Sequence, residues 1–129
     1  MMAHLRRVGT TYIPVQDVER AAAWYEAKLG ARVNYKDEDK AIVEMAGQSF
    51  FLMLAEGGAT ANFKDRKGRR QFSLTFEVDG MEELNELRDD LQERHVIVGD
   101  VEDRGHMGNN FVFYDLCGNV FDVWSELSP

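Results

Sequence analysis

The sequence predicts an α+β fold made of two βαβββ repeats that form a curved mixed sheet around a cleft. A strand, a cap and an amphipathic helix follow one another twice, at residues 10–29 and again at residues 73–93. Each copy later reaches a glycine directly before an apolar strand, at Gly47 and at Gly118. Two copies of one unit suggest pseudo-symmetry, so we expect the functional site in the cleft where they meet.

The first half, about residues 8–56, begins with an alternating strand and continues into a well-delimited helix. Asp17 stands where an N-cap belongs, and Gly30 is placed to end the helix in a left-handed turn. The buried face of this helix is predicted to comprise Val18, Ala21, Ala22, Tyr25 and Leu29. The later strands are predicted at Ala31–Tyr35, Ala41–Met45 and Gln48–Leu54.

The second half, about residues 71–126, repeats this order after a glycine-containing linker at 56–62. Its first strand is predicted at Gln71–Val78, with Leu74 and Phe76 on the apolar side. The buried stripe of the helix is predicted to comprise Met81, Leu84, Leu87 and Leu91. The remaining strands are predicted at Val96–Val101, Asn110–Tyr114 and Val120–Ser125.

Composition narrows the class of protein. The 129 residues have the length of a single domain, and 15 basic against 23 acidic side chains give a net charge of −8. This balance argues against a nucleic-acid partner, because phosphates require a positive surface. No stretch approaches the ~20 apolar residues of a membrane span, and no apolar run of a signal peptide follows Arg6 and Arg7. The single Cys117 cannot form an internal disulfide, so we expect a cytoplasmic protein.

Three segments resemble the vicinal oxygen chelate superfamily, the group of glyoxalases, bleomycin-resistance proteins and ring-cleaving dioxygenases. The two βα units of that family are similar to IPVQDVERAAAWYEAKLG at 13–30 and FSLTFEVDGMEEL at 72–84. Its closing hairpin is similar to FVFYDLCGNVFDVWSE at 111–126, although Leu116-Cys117 replaces the common proline and variable residue. The resemblance implies a homodimer with a ligand cleft, closest in character to metal-free bleomycin-resistance-like members.

The resemblance also implies where metal-binding members place their ligands. The four matching positions are Thr10, Phe51, Ser73 and Asp122. Divalent metals at such sites need three or four imidazole, carboxylate or thiolate ligands, whereas hydroxyls bind weakly and phenylalanine does not bind. We therefore expect neither a metal nor another cofactor.

Strand alternation separates an apolar face, suited to packing helices, from a mixed aromatic and polar face. The residues predicted on the mixed face are Thr10, Tyr12, Phe51, Met53, Ser73, Thr75, Glu77, Asp122 and Trp124. Such a surface suits a small organic ligand, because ligand pockets are mostly apolar with a few orienting polar groups. The alternative is an inner barrel face that is filled by its own side chains.

Asp122 is the main candidate for a chemical role, because a carboxylate in an apolar cleft can act as a general base. The structural alternative is a carboxylate bound to Ser73 or Thr10 that holds the two halves in register. His106 lies in a polar, glycine-flanked loop that is long enough to act as a lid, where it can move protons or simply be exposed. Arg104 in the same loop can meet an anionic group.

A basic cluster interrupts the acidic chain, comprising Lys64, Arg66, Lys67, Arg69 and Arg70. It is interpreted as a solvated turn, with an anion-binding rim as the alternative.

These observations favour a metal-free homodimer that sequesters a small organic molecule. The rival hypothesis is a lyase, isomerase or hydrolase that uses Asp122 or His106 as acid or base, with or without a metal. A weaker third hypothesis is an interaction module.

Overall fold

A computed structural model describes residues 1–129 and contains two helices and ten strands. The helices are α1 (Val18–Leu29) and α2 (Met81–Glu93). The strands are β1 (Thr10–Val15), β2 (Arg32–Lys36), β3 (Lys40–Met45), β4 (Gln48–Leu54), β5 (Phe63–Lys64), β6 (Arg70–Gln71), β7 (Thr75–Glu77), β8 (Ile97–Val98), β9 (Asn110–Tyr114) and β10 (Val120–Trp124). Neither helix is long and apolar enough to cross a membrane.

The predicted α+β fold with two βαβββ units is confirmed. One four-stranded sheet has the order β1-β4-β3-β2, the other has the order β7-β10-β9-β8, and β5 and β6 form a separate hairpin between them. In each sheet the first strand of the unit pairs parallel with the last, and the other pairs are antiparallel. The two units that repeat in the sequence therefore have the same strand order and the same strand directions in their sheets.

Both helices have the predicted ends. The Asp17 side chain accepts a hydrogen bond from the Arg20 amide at 3.0 Å, and Gly30 ends α1 with φ of 69°. The predicted α1 face is buried except for the half-buried Leu29. In α2, Leu84 and Leu91 are buried, but the prediction is wrong for Met81, which is 40% exposed. Met81 is the first helical residue. Because helical side chains point toward the N-terminus of the helix, its side chain extends beyond the part of α2 that packs on the core.

Two predicted strands are shorter in the structure. The segment 71–78 divides, because Gln71 pairs with Phe63 in the β5–β6 hairpin while β7 begins only at Thr75. In the segment 96–101 only β8 is a strand. Gly99, the next residue after β8, packs closely against Val112. The first difference places Arg70 of the β5–β6 hairpin beside Tyr114 of β9.

A single core of 18 buried residues joins the two halves. Phe76 of β7 lies 5.9 Å from Phe50 of β4 and 5.8 Å from Phe121 of β10, measured between ring centroids. The halves thus share the faces of their sheets that pack against the helices. Their other faces, called here the inner faces, stay available for a site.

The turn between β9 and β10 also links the halves. The Tyr25 hydroxyl on α1 donates to Asp115 Oδ2 at 2.6 Å, and the Asn119 side chain donates to the Pro14 carbonyl at 2.9 Å. Burial first, and then the neighbouring Asp115 carboxylate, raise the pKa of Tyr25 well above its usual value. The turn fixes the start of β10, which carries Asp122.

Candidate functional site

The inner face of the second sheet carries polar side chains among apolar ones. On β10, Phe121 and Val123 belong to the core, whereas the alternate residue Asp122 lies opposite Val112 of β9 and Thr75 of β7. The predicted separation of core and mixed faces is therefore present on this strand.

Asp122 is only 2% exposed and has three polar partners. Its Oδ2 atom accepts hydrogen bonds from the Thr75 hydroxyl at 3.0 Å and from the side-chain Nδ2 of Asn110 at 2.9 Å. Arg104 Nη1 lies 3.1 Å from Oδ1. A buried carboxylate needs such partners, because leaving it unpaired is strongly destabilising.

The structural alternative named Ser73 or Thr10 as the partner of this carboxylate, and it is wrong. The Ser73 hydroxyl donates to the Ala61 carbonyl at 3.0 Å, and the Thr10 hydroxyl donates to the Ser49 carbonyl at 3.0 Å. The three partners of Asp122 all lie in the second half, so this carboxylate does not hold the halves in register.

Two buried acceptor atoms at this position have spare capacity. Asp122 Oδ1 and Asn110 Oδ1 are both buried without a hydrogen-bond donor. The contact of Arg104 with Oδ1 is close enough for an ion pair but is not aligned as a hydrogen bond. A buried acceptor without a donor costs about 1–3 kcal/mol.

Arg104 connects Asp122 to the surface. Its Nε and Nη2 atoms lie 2.9 and 2.8 Å from Glu102 Oε2, and its Cζ atom lies 5.5 Å from the ring centroid of Phe72. The side chain is 28% exposed. A guanidinium has five N–H donors, so donors on Nη1 and Nη2 remain after the contacts with Glu102.

An open cleft of about 500 Å³ lies over this arginine. Its lining residues are Arg69, Arg70, Gln71, Phe72, Glu102, Arg104, Val112, Tyr114 and Val120. Arg70 Nη2 donates to the Tyr114 hydroxyl at 2.7 Å, and its Cζ lies 4.9 Å from the centroid of the same ring. The cleft therefore combines apolar walls with fixed cationic groups, as small-ligand sites do.

The predicted site residues of the first half lie elsewhere. Tyr12 is 58% exposed with its ring 5.0 Å from Phe51, Met53 is half-buried, and Thr10 is bonded to Ser49. None of them lines the cleft over Arg104. The two inner faces belong to separate sheets, so the predicted mixed face is divided between them. A smaller cavity of about 190 Å³ does lie between the halves, lined by Met45 of the first half and by Phe76, Glu77 and Phe113 of the second.

Trp124 and His106 contact each other but do not line the cleft. Trp124 Nε1 donates to the Met107 carbonyl at 2.9 Å, and the His106 ring lies 6.0 Å from Trp124. Because a carbonyl only accepts, His106 Nδ1, 2.8 Å from the Met107 carbonyl, carries a proton. A Cβ at Gly108 would lie 2.8 Å from Trp124 Nε1, so the loop packs closely on this tryptophan.

Glu77, the remaining predicted ligand-binding residue, is bound to the C-terminal segment. Its carboxylate accepts from the Ser128 amide at 3.0 Å and from the Ser128 hydroxyl. These hydrogen bonds lower the pKa of Glu77 below its usual value. Arg104 is thus the predicted site residue that lines the cleft, with Asp122 and Thr75 connected to it from below.

The sequence model of the Glyoxalase/Bleomycin resistance protein/Dioxygenase superfamily matches residues 3–123. The chain belongs to this superfamily. A comparison with curated proteins gives no match. The fold is also that of several solved structures, at sequence identities that support the fold alone.

Three of these structures illustrate the likeness. Lactoylglutathione lyase from Agrobacterium tumefaciens is 16% identical with a TM-score of 0.71, and 92% of each chain is covered. A mutant of the fosfomycin resistance protein FosX from Listeria monocytogenes, complexed with Mn(II) and 1S,2S-dihydroxypropylphosphonic acid, is 15% identical with a TM-score of 0.75, covering 96% of this chain and 93% of that one. A glyoxylase/bleomycin resistance protein/dioxygenase domain from Frankia is 18% identical with a TM-score of 0.65, covering 98% and 100%.

The positions matched to metal ligands of the glyoxalase superfamily do not fit a divalent ion in this member. Thr10 and Ser73 are hydroxyls that donate to backbone carbonyls, and Phe51 has no donor atom. Asp122 is paired with Arg104, whose positive charge 3.1 Å away would repel a metal cation. No group of three or more His, Cys, Asp or Glu side chains is arranged to hold a metal.

Sequence reasoning missed several residues of the candidate site. Asn110 and Tyr114 share the inner face with Val112, and counting alternate positions along β9 would have found them. Phe72 carried no such signal, and Arg70 was identified only as a member of the basic cluster, for which an anion-binding rim was the alternative interpretation. Their position depends on the β5–β6 hairpin, whose register the sequence does not determine.

Proposed function

We propose that this chain binds a small organic molecule in the cleft over Asp122, without a bound metal, and acts by sequestration. The observation that carries the proposal is that the cleft is open, with a buried, ion-paired carboxylate beneath it. A filled inner face would have packed these positions with apolar side chains. Phe72, Val112 and Val120 supply apolar contact, and the arginines and Tyr114 supply orienting polar groups.

Absence of a metal is supported by the donor set. Asp122 is the one carboxylate among the four matched positions, and it already forms an ion pair with Arg104. The lyase and the Mn(II)-complexed resistance protein named above share the fold with this chain at 15–16% identity. Their reactions are therefore weak guides to its activity.

A lyase, isomerase or hydrolase activity is the second candidate, and a specific observation favours it. Asp122 Oδ1 is buried with acceptor capacity to spare, as a general base requires. His106, protonated at Nδ1, would offer Nε2 as a second base beside Trp124. Turnover of a bound molecule that is lost in Asp122→Asn while binding persists would favour catalysis over sequestration.

A ligand screen combined with metal analysis tests the proposal. The protein, expressed with zinc, nickel, iron and manganese in the medium, should contain no stoichiometric metal after dialysis. Small organic molecules that raise its melting temperature should shift NMR signals of Arg70, Phe72 and Tyr114. A molar equivalent of metal that is lost in Asp122→Ala would refute the metal-free site, and hits that shift only other residues would refute the cleft.

We further propose that the chain is a cytoplasmic homodimer. Large apolar side chains are unusually exposed at Tyr12 (58%), Leu54 (48%), Phe63 (53%) and Ile97 (69%), which favours a covering partner. The free thiol of Cys117 suits a reducing compartment. Light scattering at micromolar concentration should give about twice the monomer mass of 14.8 kDa. A monomer that persists on tenfold concentration would contradict the dimer.

A further inference from the structure

The cleft over Asp122 is lined by positive charge in a chain whose net charge is −8. Three arginines line it, against the single carboxylate of Glu102. Arg69 is paired with Asp65 at 3.1 Å, and the single charge of Arg104 is shared by two carboxylates, Glu102 and Asp122. No carboxylate lies within 4.0 Å of Arg70, which leaves its charge uncompensated at the cleft.

Arg70 is also held in position. Its hydrogen bond to the Tyr114 hydroxyl and its place over the Tyr114 ring orient the guanidinium toward one wall of the cleft. These contacts use one Nη2 donor and leave others available. A fixed guanidinium loses less conformational entropy on binding than a free one, and its planar fork matches the two oxygens of a carboxylate, phosphate or phosphonate.

Arg104 presents a second guanidinium to the same cleft. It is fixed from below by Asp122 and from the side by Glu102, so its remaining N–H groups are held in place. Asp122, the carboxylate at the position that matches a metal ligand in other members, thus pairs with the Arg104 guanidinium in this chain. Phe72, Val112 and Val120 between these arginines offer apolar contact but no further charge.

We infer that Arg70 and Arg104 together bind the oxygens of a small organic anion, so that two arginines replace the metal as the group that recognises ligand oxygens. The ligand class is a carboxylate, phosphate or phosphonate with a compact apolar body that fits against Phe72, Val112 and Val120. Arg70 supplies the guanidinium that has no carboxylate partner in the fold, and Arg104 orients the ligand. The inference rests on the proposed binding function and specifies the ligand for that site.

Benzoate, phenylphosphonate and the neutral isostere benzamide test the inference with one apolar body and different head groups. Binding is measured by titration with NMR detection of residues 70, 104 and 114. Because charge-assisted hydrogen bonds contribute about 1.5–3 kcal/mol, the anions should bind the wild type on the order of tenfold more tightly than benzamide does. Arg70→Gln should remove this preference, whereas Arg70→Lys should restore part of it.

Arg66→Gln is the matched control, because it removes the same charge from the same basic cluster at a residue that does not line the cleft. It should leave the preference for anions unchanged. Equal binding of benzamide and the anions at the cleft, or the same loss in Arg66→Gln as in Arg70→Gln, would overturn the anion inference and leave the binding function standing. If none of the three probes shifts the cleft residues at millimolar concentration, the anion inference is wrong, whereas the proposed binding function is refuted only by the ligand screen described above.

Discussion

Replacing Arg104 by glutamine should destabilise the protein by about 3 kcal/mol, because it leaves the Asp122 carboxylate buried without a countercharge. Asp122 is 2% exposed, and Arg104 Nη1 is the cationic group beside it, at 3.1 Å. We take the lower end of the ~3–5 kcal/mol range for breaking a buried pair, since Thr75 and Asn110 still donate to Oδ2. In a chain of this size the loss corresponds to roughly 10 °C in melting temperature.

Urea unfolding followed by circular dichroism measures this loss, and a double-mutant cycle assigns its cause. Arg104→Gln/Asp122→Asn should recover most of the stability, because the buried charge is removed together with its partner. Arg69→Gln is the control, since the Arg69–Asp65 pair is exposed and such pairs contribute about 0–1 kcal/mol. If Arg104→Gln stays within about 0.5 kcal/mol of the wild type, or the double variant is less stable than the single one, the assignment of Asp122 as a buried ionised partner fails.

Three further outcomes follow from burial. Phe121→Ala should lower the free energy of unfolding in urea by ~3–5 kcal/mol, because Phe121 lies in the core and is 2% exposed. Trp124 is only partly buried, so Trp124→Ala should lower it much less. Equal losses would mean that the inner face is a filled core. The raised pKa of Tyr25 keeps its hydroxyl neutral in the folded state. The contribution of this hydroxyl to folding stability is therefore complete below pH 10.0, the pKa in the unfolded chain, and falls as the pH rises above that value. Tyr25→Phe should be about 1 kcal/mol less stable than the wild type at neutral pH but should lose less stability in alkali. Burial raises the pKa of the Cys117 thiol, so iodoacetamide should modify it several-fold more slowly at neutral pH in the native protein than in urea, and equal rates would contradict this.

The elements that could be predicted from the sequence are those whose signals are local. Helix α1 begins after Asp17 and ends at Gly30 as predicted, and α2 has the bounds predicted from its repeating apolar residues. Strands β4 and β9 also have the predicted bounds. The strand expected at 71–78 was wrong because its first residues pair with the β5–β6 hairpin, a contact that no local pattern encodes.

The candidate site was predicted in part, for a related reason. Alternation placed Asp122 on the inner face, and the character of the loop pointed to Arg104, yet their contact depends on how residues 102–109 lie over the second sheet. Alternation also grouped Thr10, Tyr12, Phe51 and Met53 with them. It gives the face of a strand but not the relation between two sheets, so it could not show that the first-half residues lie outside the cleft.

The pairing of Asp122 with Arg104 also bears on whether the chain sequesters or transforms its ligand. A divalent metal concentrates two charges at one point and can polarise a bond to oxygen, whereas a guanidinium spreads one charge over a planar group. Here that single charge is shared with Asp122 and Glu102, so its field at a bound oxygen is weaker still. Such a group orients an anion through directed hydrogen bonds but contributes little to breaking a bond, which favours a binding role for this site over a catalytic one.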